Sequence, residues 1–145
     1  MIARSSAAAL ATLILAAVIL AAATPVRADE KEPAIDCANA MSTAEINFCS
    51  EKLLDAADAK LNEAYKKALD FVAKTEGEKP YDAKSWEEAL RASQRAWVAY
   101  RDADCKGLVP MSWSGGTGTT AEVLGCMSAK TKARTQELLE MYEPK

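Results

Sequence analysis

Four cysteines, Cys37, Cys49, Cys105 and Cys126, are the side chains of this sequence best equipped for chemistry, and the chain has no histidine. Thiolates ligate zinc when they come in closely spaced pairs, often with imidazole. Here the spacings are C-x11-C, C-x55-C and C-x20-C, with no C-x2-C pair, so no metal site is expected. Without histidine there is also no imidazole to activate a serine or cysteine nucleophile. An even cysteine count instead suits two disulfides, which form and persist in oxidising compartments. The glycines of "GGTGTT" (115–120) follow a helical pattern rather than a strand, so they do not make a phosphate cradle. Glu87 with Glu88, and Asp102 with Asp104, have the residue type for acid–base work. On an amphipathic helix, however, neighbouring carboxylates form a solvated face. No catalytic residue, no cofactor and no enzymatic activity are expected.

The N-terminus carries Arg4, then the apolar run "AAALATLILAAVILAAA" (7–23), then "TPVRADE" with Val26 and Ala28 at the small-residue positions of a cleavage site. This is the pattern of a secretory signal peptide, residues 1–28, cut after Ala28 by a Sec-type route. Cys37 lies well beyond the apolar run and follows Asp36, which does not fit a lipidation site. The expected mature chain, 29–145, is one domain, periplasmic or secreted from a bacterium, with no stable membrane insertion after cleavage. Of 18 basic and 21 acidic residues, Arg4 and Arg27 fall in the leader, which leaves 16 against 21 and a net charge of −5. Nucleic acid is excluded as a partner by that balance. It favours encounter with a cationic partner, although acidity also serves solubility alone.

Three segments carry helical signals. Ser42 with Glu45 forms a capping box ahead of Ile46, Cys49, Leu53, Ala57, Leu61, Ala64, Ala68 and Phe71, a three- and four-residue spacing that predicts a helix over 43–74. Gly77 and Pro80 break the pattern. Ser85 with Glu88 offers a second box, and Trp86, Leu90, Trp97 and Tyr100 recur along one face, predicting a helix over 83–105. The segment "KGLVPMSWSGGTGTT" (106–120), with four glycines and a proline, is expected to be a loop. Thr119 with Glu122 then opens a helix over 120–142 whose stripe is Leu124, Met127, Thr131, Thr135, Leu138 and Tyr142. The expected fold is all-α: an antiparallel three-helix bundle with both disulfides at one end. Short loops close at lower entropic cost, which favours Cys37–Cys49 and Cys105–Cys126 and leaves crossed pairings open.

Within that frame "SQRAWVAYRDADC" (93–105) reads as a packed helix. Trp97 and Tyr100 fall on the buried stripe, and Arg101 with Asp104 at i+3 is expected to form a partly buried structural ion pair near its edge. The loop offers a partner-binding candidate, Trp113, Ser114, Gly115, Gly116 and Thr117. A tryptophan flanked by glycines can anchor in a partner's cleft. It can equally fold back over the open end of the bundle.

The stretches "DCANAMSTAEINFC" (36–49), "ADAKLNEAY" (57–65), "SQRAWVAYRDADC", "SGGTGTT" (114–120) and "CMSAKTKARTQEL" (126–138) together resemble the LprI-like lysozyme inhibitor family. Ser93 stands where that family usually has Ala, and Ser42 where it usually has Thr. The resemblance implies a small exported helical domain with two disulfides, no enzymatic activity, and a lysozyme as candidate protein partner. The alternative is an envelope structural or interaction domain that binds another protein or a glycan.

Overall fold

A run of alanines sets the geometry of the molecule. Ala57, Ala64 and Ala68 lie on one face of the longest helix and are almost fully buried, opposite the small Ser128, Thr131 and Thr135 of the last helix. With so little side chain between them, those two helices pack closely. The middle helix stands off on larger side chains, Trp86, Leu90 and Trp97.

The computed structural model describes residues 34–142, which belong to one compact unit; the leader expected at 1–28 lies outside them. The elements are α1 (Thr43–Val72), α2 (Ala83–Asp102), a π-helical turn (Ala103–Leu108), the short α3 (Val109–Ser112) and α4 (Thr119–Tyr142). No strand occurs among the described residues. Contacts between helices give their directions. Leu53 meets Ser128, Asp58 meets Thr131 and Phe71 meets Tyr142, so α1 and α4 run parallel. Asp58 meets Arg101 and Phe71 meets Trp86, so α2 runs antiparallel to α1. The described residues therefore form an up–down–up helical bundle.

The capping box at Ser42 forms as expected: the Glu45 N–H donates to Ser42 Oγ at 3.2 Å, and the Ser42 N–H donates to the Glu45 carboxylate at 2.9 Å. The other two caps need correction. α2 is capped by Asp82, whose carboxylate accepts the Ser85 N–H at 2.9 Å, because Asp82 already sits at the extended position before the first turn. Thr119 is itself helical, its hydroxyl has no partner among the described residues, and the Glu122 N–H bonds the Gly118 carbonyl. Gly77 is required where it stands, since a Cβ there would meet the Tyr81 carbonyl oxygen at 2.8 Å.

The buried stripe of α1 is Cys49, Leu54, Ala57, Leu61, Ala64, Ala68 and Val72. Leu53 and Phe71, expected in it, are each one residue out of register, and Leu53, Phe71 and Ile46 are 58, 40 and 39 % exposed. Phe71 packs edge-on against Trp86 and Tyr142 with ring centroids 6.0 and 5.8 Å away, closing the end remote from the cysteines. Tyr100 also leaves the expected stripe; its place is taken by Arg101, one residue on. At the other end Cys105, Leu54 and Met127 form a second small core. The disulfides are Cys37–Cys49 and Cys105–Cys126. Bridges that close loops of this size contribute about 3 kcal/mol each, a large share of the stability of so small a domain.

Candidate functional site

The chain does not leave helical geometry at Cys105. The turn Ala103–Leu108 widens to π geometry and leads directly into α3, so residues 106–112, expected as loop, are helical. The two supposed breakers fit this path. Pro110 stands in the first turn of α3, where a missing N–H has no intrahelical partner to lose. Gly107 lies inside the π turn, and π turns of this kind concentrate at functional positions. Cys105 is fully buried in the same turn and bridged to Cys126, which fastens the whole excursion to α4.

α3 then stops sharply. The Ser114 N–H bonds the Met111 carbonyl and the Gly115 N–H bonds the Pro110 carbonyl, the paired arrangement of a Schellman stop. It places Ser114 at φ +51° and Gly115 at φ +67°, left-handed positions that glycine takes at no steric cost. Two further turns, Gly116 N–H to Trp113 O and Thr119 N–H to Gly116 O, bring the chain into α4. The Trp113 ring packs against Gly118 of this loop. A Cβ on Gly118 would come within 2.5 Å of its ring, so Gly118 is the floor on which the indole rests.

The result is a tip with an unusual surface. Leu108, Met111 and Trp113 are 64, 77 and 44 % exposed. Residues 107–121 include no Asp, Glu, Lys or Arg, in a chain that is 27 % charged. Depletion of charge with enrichment of aromatic and methionine side chains is what distinguishes the centre of a protein–protein interface from ordinary surface. All five candidate residues, Trp113 to Thr117, are exposed here, and Trp113 belongs to neither core cluster. Leu108 and Met111 fall in the segment expected as loop but outside the five named candidates, because neither has the indole ring and glycine neighbours that singled out Trp113; the absence of charge from 107 to 121 was the available signal.

Charged side chains beneath the tip act as bracing. Arg101 and Asp104 do not pair with each other. The Arg101 side chain is only 11 % exposed and donates to Asp58 and to Thr131 Oγ1, both at 3.0 Å, and to Asp102 at 3.2 Å, while its guanidinium lies 5.2 Å from the centre of the Trp97 ring. Asp104 pairs with Lys130 at 2.8 Å, and Lys130 also donates to the Tyr100 hydroxyl. Asp104 and the hydroxyl of Tyr100 hold the Lys130 ammonium above its ordinary pKa. The carboxylates singled out for acid–base work are likewise engaged. Lys106, with Arg101, holds Asp102 below the usual carboxylate range, and Glu87 pairs with Arg91 at 2.7 Å. Asp104, Cys105 and Cys126 come close enough to suggest a metal, but the two sulfurs are bonded to each other and offer no thiolate.

These features define a class: a small, doubly cross-linked helical domain whose specialised surface is an uncharged apolar tip fastened by a disulfide rather than a reactive cleft. The chain belongs to the LprI lysozyme inhibitor family, whose model, described as "Lysozyme inhibitor LprI", matches residues 36–138. It is also 34 % identical over 128 residues to the uncharacterized protein R02472 of Rhizobium meliloti (strain 1021), a match that covers 86 % of this chain and 90 % of that one. No solved structure was found to match it.

Proposed function

We propose that the mature protein is an exported binding protein that inhibits a lysozyme by seating its 108–117 tip on the enzyme. Family membership over residues 36–138 carries the reading. Two further observations support it. Both cysteine pairs are oxidised, as suits a chain expected to work outside the cytoplasm, and no helix among the described residues is long and apolar enough to cross a membrane. The tip also has the composition of an interface centre, with Trp113 and Met111 as anchors and its ends fixed by Cys105–Cys126, so little conformational freedom is lost on docking. The net charge of −5 on the expected mature chain draws in a cationic enzyme, and the uncharged tip makes the contact.

The test is retention on immobilised lysozyme. Mature wild type is expected to be retained and Trp113→Ala to be retained at least tenfold more weakly, a loss of the size typical of an anchor residue. Equal retention of the two would move the contact away from the tip. Passage of the wild type through every lysozyme type tried would remove the inhibitor reading.

A further inference from the structure

A groove between α1 and α4 shares no residue with the tip and, unlike it, carries charged side chains. It encloses about 520 Å³, within the range of small-molecule sites. Its floor is Leu53, Ala56, Ala57 and Ala133, and Lys60 and Lys132 stand along it, one on each helix. Leu53 is 58 % exposed, and the neighbouring alanines are too short to cover it.

The lysines give the groove its sign. Among the described residues Lys66, Lys84, Lys106 and Lys130 each pair with a carboxylate. Lys60 and Lys132 have neither an ion pair nor a hydrogen bond among those residues, and no carboxylate lines the groove. With two ammonium groups and no carboxylate in its lining, the groove carries positive charge, in a chain whose acidic residues outnumber its basic ones 21 to 18. The proposed lysozyme contact at 108–117 does not use this groove, so the feature is not explained by the function proposed above.

The geometry points to a second binding site, for a single-chain anionic amphiphile: an acyl tail laid on the Leu53–Ala133 floor with its carboxylate held by the Lys60 and Lys132 ammonium groups. Each half of the ligand answers one half of the groove. Tail contact supplies affinity in proportion to the methylenes covered, and head contact supplies selection for negative charge. Because one side of the groove is open to water, each methylene is about half buried and adds roughly a twofold factor in affinity, against about fourfold when fully buried.

Calorimetric titration of the mature protein below the critical micelle concentration tests this. Dodecanoate is expected to bind with one site per molecule, octanoate roughly sixteenfold more weakly by the half-burial factor, and dodecyltrimethylammonium at least tenfold more weakly despite the same tail. Exposed ion pairs contribute modestly, so the double variant Lys60→Gln/Lys132→Gln is expected to lose about tenfold in dodecanoate affinity. Both positions are exposed, so this variant keeps the fold, and it is expected to keep its retention on lysozyme. Equal binding of the two head groups, undiminished binding by the double variant, or no binding of dodecanoate at all would each overturn the proposal. Unchanged lysozyme retention in those cases would show that the inhibitor reading stands apart from it.

Discussion

Arg101 is the residue on which α1, α2 and α4 converge, and its removal should be costly in a way that can be apportioned. Arg101→Ala deletes charge-assisted bonds to Asp58 and Asp102, whose side chains are 41 and 34 % exposed, so water replaces the arginine and each loss is held to about 0.5–1 kcal/mol. The bond to Thr131, which is fully buried, adds about 1 kcal/mol, less what Thr131 keeps through its 3.2 Å bond to Asp58. The guanidinium over Trp97 adds a further 0.5–1 kcal/mol or so. The expected loss is about 2–4 kcal/mol, or roughly 10–25 °C in melting temperature for a domain of this size. Urea denaturation of Arg101→Ala, Asp58→Ala and the double variant isolates the interhelical pair, for which a coupling of about 0.5–1 kcal/mol is expected. A coupling near zero, with the stability recovered in Arg101→Met, would show that only the aliphatic stem matters and would refute the bracing account.

Other expectations follow from the same contacts. Titration of the unreduced, denatured mature protein should find no free thiol, and Cys105→Ala/Cys126→Ala should cost about 3 kcal/mol in urea and weaken lysozyme retention by releasing the tip. Gly118→Ala should displace the Trp113 indole and shift its fluorescence to longer wavelength while leaving the melting temperature within a few degrees, since the Cβ collides with a side chain on an exposed loop rather than with the core. Ser42→Ala should cost about 1 kcal/mol, measured in urea, through loss of the α1 cap. Asp36, Glu45, Asp82 and Asp102 are all held below their ordinary pKa values, chiefly by hydrogen bonds from Asn39, Ser42, Ser85 and Lys106 respectively. Groups lowered on folding stabilise above the unfolded value and lose that contribution as pH falls, so the melting temperature should decline from about pH 5 downward; a flat profile to pH 3 would contradict this.

What could be read from the sequence was local. Ser42 and Glu45 lie three apart and cap each other without help from the rest of the chain, and Ala57, Leu61, Ala64 and Ala68 keep one face of one helix. The same logic failed where a neighbour decides. Leu53 and Leu54 are equivalent as a pattern, and only the placement of α4 and Cys105 selects Leu54. Arg101 reads as the partner of Asp104, one turn along its own helix, until Asp58, 43 residues away, is brought beneath it. Gly107 and Pro110 signal a break in any helix of ordinary pitch, yet a π turn and a fresh helix start accommodate both. The seat of Trp113 on Gly118 is a contact across a loop, for which no periodic pattern exists.

Inhibition through the tip can be measured by titrating the mature protein into a muramidase assay on bacterial cell walls. Wild type is expected to reduce lysozyme activity to a saturating floor. Met111→Ala/Trp113→Ala, truncating two exposed side chains, is expected to melt within a few degrees of wild type and to require at least tenfold more protein for half-inhibition. Undiminished inhibition by that variant, or full lysozyme activity at every concentration of wild type, would contradict the account.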